Sequence, residues 1–216
     1  ENVRKIQSTA NEYIHLVNSY LHDHISLDDE TSMATYSVGG LILSNSGMIT
    51  SNYWLSEVYD AQITNAHKNG DLYIHNINML TGCSAGWSLG NLILKGLPSV
   101  NKMISSLPAK HLSTLCNQMV NFLGIMQNEW ASAQSFAHFD TLLVPFIHQD
   151  KLSVKMVSDC LESFIYGINI PSRWGTQAPF SQITLDWNVP QEFINKKAIV
   201  AGCECDFTYG DCQKEM

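Results

Sequence analysis

Seven apolar residues give this chain its strongest periodic signal. Leu112, Leu115, Cys116, Met119, Phe122, Leu123 and Met126 recur at intervals of three and four, one face of a 3.6-residue repeat. That spacing predicts a helix over residues 109–129, with Asn117, Gln118, Asn121 and Asn128 set around the same turns. Shorter signals flank it. Ile6, Ala10, Tyr13, Ile14, Val17 and Leu21 predict an opening helix, and the polar run 22–35 reads as turns. Residues 36–43 form a short apolar stretch with a glycine pair. A helix is predicted from Thr50 or Ser51, either of which can cap it, to Gly70, where a left-handed closing residue belongs. Residues 71–75 read as a strand, and a short helix is expected near residues 87–95. A helix is expected from Asp150 or Ser153, with Val157, Leu161, Phe164 and Ile165 inward. Residues 170–180 then read as a loop and 181–187 as an alternating strand. Helices alternating with short strands favour an α/β layout with mostly parallel strands. Such folds place ligands at strand ends.

The bulk numbers exclude several function classes. The 216 residues are 45% hydrophobic, which suits a folded core of one large domain or part of one. Net charge is −8, with no basic stripe, so a nucleic-acid polymer is a poor partner. No apolar run approaches the roughly 18 residues of a membrane helix, and residues 1–4 do not open a signal peptide. Cys83, Cys116, Cys160, Cys203, Cys205 and Cys212 are therefore expected as reduced thiols in a cytoplasm. Glu1 is not an initiator methionine, and the chain reads as a fragment of a longer polypeptide.

Cys83 is the residue most worth a chemical reading. Structural thiols outnumber reactive ones. Its neighbours Gly82, Ser84, Ala85 and Gly86 are small, which lets a ligand or another backbone approach. No Lys or Arg adjoins it, and the nearest histidine in sequence is His75. A thiolate nucleophile wants a base or cation beside it; a neutral thiol suits hydrogen-atom transfer. The segment Ser172-Arg173-Trp174-Gly175-Thr176-Gln177 offers a guanidinium, two hydroxyls and an amide for a phosphate and a base edge. Its bland alternative is a surface loop. Gln118 and Asn121, one turn apart, can cap a helix–helix interface or hold a nucleotide. His22-Asp23-His24 lacks the further ligands zinc needs, and Cys203-Glu204-Cys205 with Cys212 does not match a standard zinc spacing. No metal site is expected.

Several stretches in order, YSVGGLILSNSGMITSNYWL, AHKNGDLYIHN, CSAGWSL, PAKHL, NQMVNFLG, QNEWASAQSFAHFDTLLVPF and NIPSRWGTQAPFSQITLDW, resemble the anaerobic (class III) ribonucleoside-triphosphate reductases. The resemblance covers residue 36 to the last residue. It implies about the first half of a ten-stranded α/β barrel of the glycyl radical enzyme type, with effector-binding and dimer-interface helices. Residues 1–216 would form a single partial catalytic-barrel domain, without an N-terminal ATP cone or a C-terminal glycyl-radical domain. The family stores a glycyl radical, installed by an activating enzyme that uses S-adenosylmethionine and an iron–sulfur cluster, and binds zinc near its C-terminus. Both groups would lie outside this chain. Ribonucleoside triphosphates are the implied substrates and deoxynucleoside triphosphates the implied effectors, in a homodimer.

Carried over by motif, Cys83 becomes the thiyl site. His75, Ser172, Arg173, Gly175 and Gln177 become substrate-side residues, and Gln118, Asn121 and Lys151 effector-side residues. Leu115, Met119, Phe122 and Met126 are expected to pack across the dimer interface. Two departures stand out. The family's Tyr-Cys-Ala-Gly-Trp reads Cys83-Ser84-Ala85-Gly86-Trp87 here, so Ser84 holds the cysteine place. Because adjacent strand residues face opposite ways, a bulge at Gly82 would be needed to re-aim the thiol. The family's His-Asp pair reads His75-Asn76. A pyruvate formate-lyase-like enzyme is the related alternative, disfavoured because Cys83 has no neighbouring cysteine. A degenerate or split module that binds deoxynucleotides and dimerises without catalysis is the alternative from another class. By itself the fragment is expected to be inactive, and half a barrel would leave a sheet edge and an apolar face uncovered.

Overall fold

The computed structural model describes residues 14–19, 37–97, 105–172 and 178–216. Residues 14–19 form a short helix, α1, inside the expected opening helix. The chain separates into two compact units that divide between Thr81 and Gly82, with α1 in the first.

In the first unit, helix α2 spans Val38–Tyr53. It begins earlier than the sequence reading. Ser37 is the cap, its Oγ accepting the Gly40 N–H at 2.9 Å. Gly39 and Gly40 fall in the first turn, where backbone N–H groups have no intrahelical acceptor to lose. Thr50 and Ser51 are interior instead, and the Ser51 hydroxyl donates to the Gly47 carbonyl at 2.7 Å. The helix widens into a π turn over Trp54–Val58 and stops at Tyr59. Asp60 then starts α3, Ala61–Asn69, by accepting the N–H groups of Gln62 and Ile63. Gly70, at φ 83°, closes it as expected. Residues 71–75 are bends and turns, not a strand. They have no partner strand among the described residues, and local bonds hold them instead, including the Ile74 N–H donating to His67 Nδ1 at 3.2 Å.

The second unit is α/β. Strand β1 (Cys83–Trp87) leads into α4 (Leu89–Lys95), capped by Ser88. Helix α5 (Leu112–Glu129) leads into β2 (Ala131–Phe136). Helices α6 (Phe139–Asp150) and α7 (Val154–Ile168) precede β3 (Ser181–Ile183). The sheet order is β1-β2-β3 and both pairings are parallel, as the alternation implied. Beyond it, the short helix α8 (Gln191–Ile194) precedes an antiparallel hairpin, β4 (Lys197–Val200) and β5 (Cys203–Thr208), and a 3-10 turn over Gly210–Glu215.

The α5 stripe faces this unit's own core. Leu115 and Met119 have no exposed surface and pack with Leu112, Leu123, Phe136, Phe146 and Phe164. They are therefore not free to form a dimer face, which corrects that part of the reading. Phe122 and Met126 are half-buried. Each such buried side chain contributes about 1.5–3 kcal/mol. On α7 Phe164 is buried and Val157, Leu161 and Ile168 are partly buried against the core, while Ile165 faces outward. Helices α5 and α7 approach so closely that a Cβ on Gly167 would lie 2.7 Å from Val120 Cγ2. Among the described residues no helix is long and apolar enough to cross a membrane.

Candidate functional site

Cys83 opens β1 with its side chain exposed. The strand does not keep strict alternation. Cys83 pairs with Ala131 and Ala85 with Gln134, so two steps along β1 match three along β2. The extra residue lies in β2, and a bulge does re-aim this segment, though not at Gly82. Ser84 and Ser132 take left-handed backbone, at φ 58° and 61°. As a result Cys83 Sγ and Ser84 Oγ come within 3.9 Å of each other, where a regular strand would send them to opposite faces. Gly82 has a different task. A Cβ there would lie 2.5 Å from Trp130 Cζ2, so the indole needs glycine beneath it. The Ala131 N–H donates to the Gly82 carbonyl at 3.1 Å and fixes that approach.

The other expected residues scatter. His75 lies in the first unit, its ring edge-on to Tyr73 with centroids 4.7 Å apart. Ser172 accepts a hydrogen bond from Gln127 Nε2 at the end of α5. Arg173, Gly175 and Gln177 lie outside the described residues, as does His22-Asp23-His24. Gln118 is buried. Its Nε2 donates to Ser106 Oγ at 2.8 Å and the Leu107 carbonyl at 2.7 Å, and its Oε1 has no partner among the described residues. Asn121, one turn on, is exposed where Gln118 is buried, so the two amides are not presented together to solvent. Lys151 is exposed and left-handed, at φ 50°, where α6 ends. The thiols away from Cys83 include two buried ones. Burial first, then nearby Cys160, pushes the Cys116 thiol up to about 12. Burial first, then Glu215 and Asp211, does the same to Cys212, also to about 12. Cys203, Cys205 and Cys212 form no metal cluster, and among the described residues no group of three or more His, Cys, Asp or Glu could hold a metal ion.

Two sets of residues escaped the sequence reading. Gln134 is fully buried in β2 and accepts the Trp87 indole N–H. Nothing in sequence separates such an amide from a surface one except its place in a strand between small residues. The second set lies past the carboxyl ends of β2 and β3. His138 Nδ1 is 2.9 Å from Asp186 Oδ2, Thr141 Oγ1 donates to the same oxygen at 2.6 Å, and the Asp140 carboxylate accepts the N–H groups of Asp186 and Trp187. His138 also borders a cavity of about 400 Å³ with Trp87, Asn91, Phe193 and Lys196. The joining residues are 45 or more apart in sequence, beyond any local motif.

A family model described as anaerobic ribonucleoside-triphosphate reductase matches residues 30–216. No curated protein matches the chain. Among solved structures, the anaerobic ribonucleotide reductase from Thermotoga maritima in complex with dATP and CTP is similar at a TM-score of 0.59 and 23% identity, over 68% of this chain and 28% of that one. The same protein with citrate in the active site gives a TM-score of 0.63 and 20% identity, over 80% of this chain and 33% of that one. A further anaerobic ribonucleotide reductase gives a TM-score of 0.64 and 21% identity, over 80% of this chain and 30% of that one. The chain spans about a third of the length of these structures.

Proposed function

Because the chain belongs to the anaerobic ribonucleoside-triphosphate reductase family, we propose that it supplies part of a catalytic subunit that reduces ribonucleoside triphosphates to deoxyribonucleoside triphosphates. The observation that carries this reading is Cys83, an exposed thiol at a bulge at the start of a parallel strand, within the matched residues. Both compact units belong in this reading to one catalytic domain, part of a ten-stranded barrel. Its enclosure excludes water and fixes the ribose against the thiol.

The chemistry assigned to Cys83 is hydrogen-atom exchange. As a thiyl, its sulfur would take the ribose 3′ hydrogen; the 2′ hydroxyl, gaining a proton, would leave as water, and formate or a thioredoxin-like protein, the family's reductants, would supply the two electrons the reduction needs. The family's glycyl radical would supply the unpaired electron; it and the family's zinc are assigned to residues outside this chain. An activating enzyme using S-adenosylmethionine and an iron–sulfur cluster is the corresponding partner. His75, Ser172, Arg173, Gly175 and Gln177 are assigned to the substrate side. Gln118, Asn121 and Lys151 are assigned to a deoxynucleotide effector, with exposed Lys151 offering a charge to phosphate. A homodimer in the cytoplasm is the proposed assembly.

The test is anaerobic reduction of CTP by the protein at its full native length, activated by its partner enzyme. Cys83→Ala should lower kcat by at least about 10³-fold, the scale of losing a reacting group. Retained activity would remove Cys83 from the reaction.

Ser84 at the family's cysteine place favours a second reading, a module that binds deoxynucleotides without catalysis. Under that reading the wild-type protein binds a deoxynucleoside triphosphate yet forms no product, whatever stands at position 83.

A further inference from the structure

We propose that Gln134 is a positioning residue for the Cys83 thiol, acting through the β1–β2 bulge and without touching the thiol. Left-handed backbone is costly for a non-glycine residue, and the bulge has two such residues, Ser84 and Ser132. No turn or chain reversal calls for them, since β1 and β2 run parallel through the irregularity. Surrounding structure must hold the distortion, and the bonds converge on Gln134.

Gln134 has no exposed surface. Its backbone N–H donates to the Phe180 carbonyl at 2.8 Å, which ties it to the strand on its other side. Its Oε1 accepts the Trp87 indole N–H from the far end of β1. Its Nε2 shares a long donation between the carbonyls of Trp130 at 3.4 Å and Ser132 at 3.5 Å. Those two carbonyls flank Ala131, the residue paired with Cys83. Buried away from water, the Gln134 amide hydrogens have these carbonyls to satisfy. Packing completes the brace. The Trp130 indole lies on Gly82, immediately before Cys83, and Trp87 meets it edge-on with centroids 6.1 Å apart. One side chain therefore links both ends of β1 to the bulged residues that put Cys83 Sγ beside Ser84 Oγ.

The bulge sets where the thiol points. If the amide is removed, Ser132 is released from its held conformation, β1 and β2 return toward a regular register, and the Cys83 and Ser84 side chains separate toward opposite faces. The catalytic meaning of this rests on the role proposed for Cys83; the geometry does not.

The experiment measures alkylation of the native protein by iodoacetamide, anaerobically, by peptide mass spectrometry. Cys203, exposed on the separate hairpin, is the internal standard, and buried Cys116 and Cys212 report general loosening. Gln134→Leu should shift the Cys83-to-Cys203 rate ratio three-fold or more while Cys116 and Cys212 stay protected. Adding Ser132→Gly, which permits left-handed backbone without the brace, should return the ratio toward the wild-type value; a merely structural role for Gln134 predicts no such rescue. An unchanged ratio in Gln134→Leu with protected core thiols overturns the proposal. If Gln134→Leu exposes the core thiols, Trp87→Phe decides, because it removes only the indole N–H and part of the ring. A two-fold shift there supports the proposal and no shift overturns it. Cys83→Ala in the reduction assay separately tests the catalytic role, so the two can fail independently. Where both hold, Gln134→Leu should lower kcat for CTP with KM little changed.

Discussion

Two strands in this chain open on an exposed cysteine, and each lies beside left-handed backbone. At β5 that backbone is Ala201 and Gly202, φ 55° and 76°, the two-residue loop joining Val200 to Cys203. Positive φ at both loop positions is what a type I′ turn requires, and its twist matches that of the strands it joins. At β1 the left-handed residues are Ser84 and Ser132, inside a parallel pair where no reversal occurs. In the hairpin the conformation is set by the two-residue reversal, and the Ala201 N–H donates to the Ala109 carbonyl at 3.1 Å. In the bulge it is held by Gln134, Trp87 and Trp130, from residues up to 47 positions away. The contrast separates a distortion that a chain reversal calls for from one that no reversal calls for, and the second lies beside the thiol to which the proposed chemistry is assigned.

The strongest way to break this contrast is at Gly82. Gly82→Ala puts a methyl group 2.5 Å from the Trp130 ring, and the neighbouring ring atom Cη2 is 2.9 Å away. Denaturant unfolding should show a loss of about 1–3 kcal/mol, the usual cost of overpacking. In a Trp130→Phe background the same substitution should cost clearly less, since the second indole ring is gone. Equal costs in both backgrounds would mean that the indole does not clamp the start of β1.

Much of the fold was legible because its signals are local. The α5 stripe, the Ser153 cap, the Gly70 closing residue and the alternation that gives a parallel sheet each depend on a few neighbouring residues. What was missed depends on partners far off in sequence. Residues 71–75 have the composition of a strand but, among the described residues, no strand beside them. Leu115 and Met119 form a stripe that suits either a core or an interface, and only Phe136, Phe146 and Phe164 decide for the core. At the site, Cys83 was visible from its small neighbours. The bulge was not, because register is a property of two strands. Gln134 and the His138–Asp186 pair were invisible for the same reason: a side chain's burial and partner are long-range facts.

Raising the pH sharpens the comparison from the buried side. Cys116 on α5 and Cys212 beneath the hairpin are both pushed from 9.0 up to about 12, chiefly by burial. A thiol whose folded pKa is raised stays neutral in the native state after the unfolded chain has begun to ionise. Its stabilisation is complete below pH 9 and is lost as pH rises from 9 toward 12. Unfolding measured across that window should show stability falling with pH. Cys116→Ala and Cys212→Ala should each flatten the fall, whatever each costs at neutral pH. A slope unchanged in both variants would show that neither thiol is held neutral by the fold.

The smallest expected effect is at the hairpin itself. Ala201 adopts φ 55° without the polar side chain that makes Asn tolerant of this region. Ala201→Asn should therefore stabilise the chain by about 0.5–1 kcal/mol, the range of an optimised turn residue, and leave the Cys83 alkylation rate untouched. The corresponding change at the bulge, Ser132→Gly, should behave differently. It lowers the backbone cost, yet it also removes the need for Gln134 to hold the bulge, so it should alter the Cys83 rate when combined with Gln134→Leu. If Ala201→Asn moved the Cys83 rate as much as the bulge variants do, the hairpin and the bulge would be one coupled element. The strain at β1 could not then be assigned to the thiol alone.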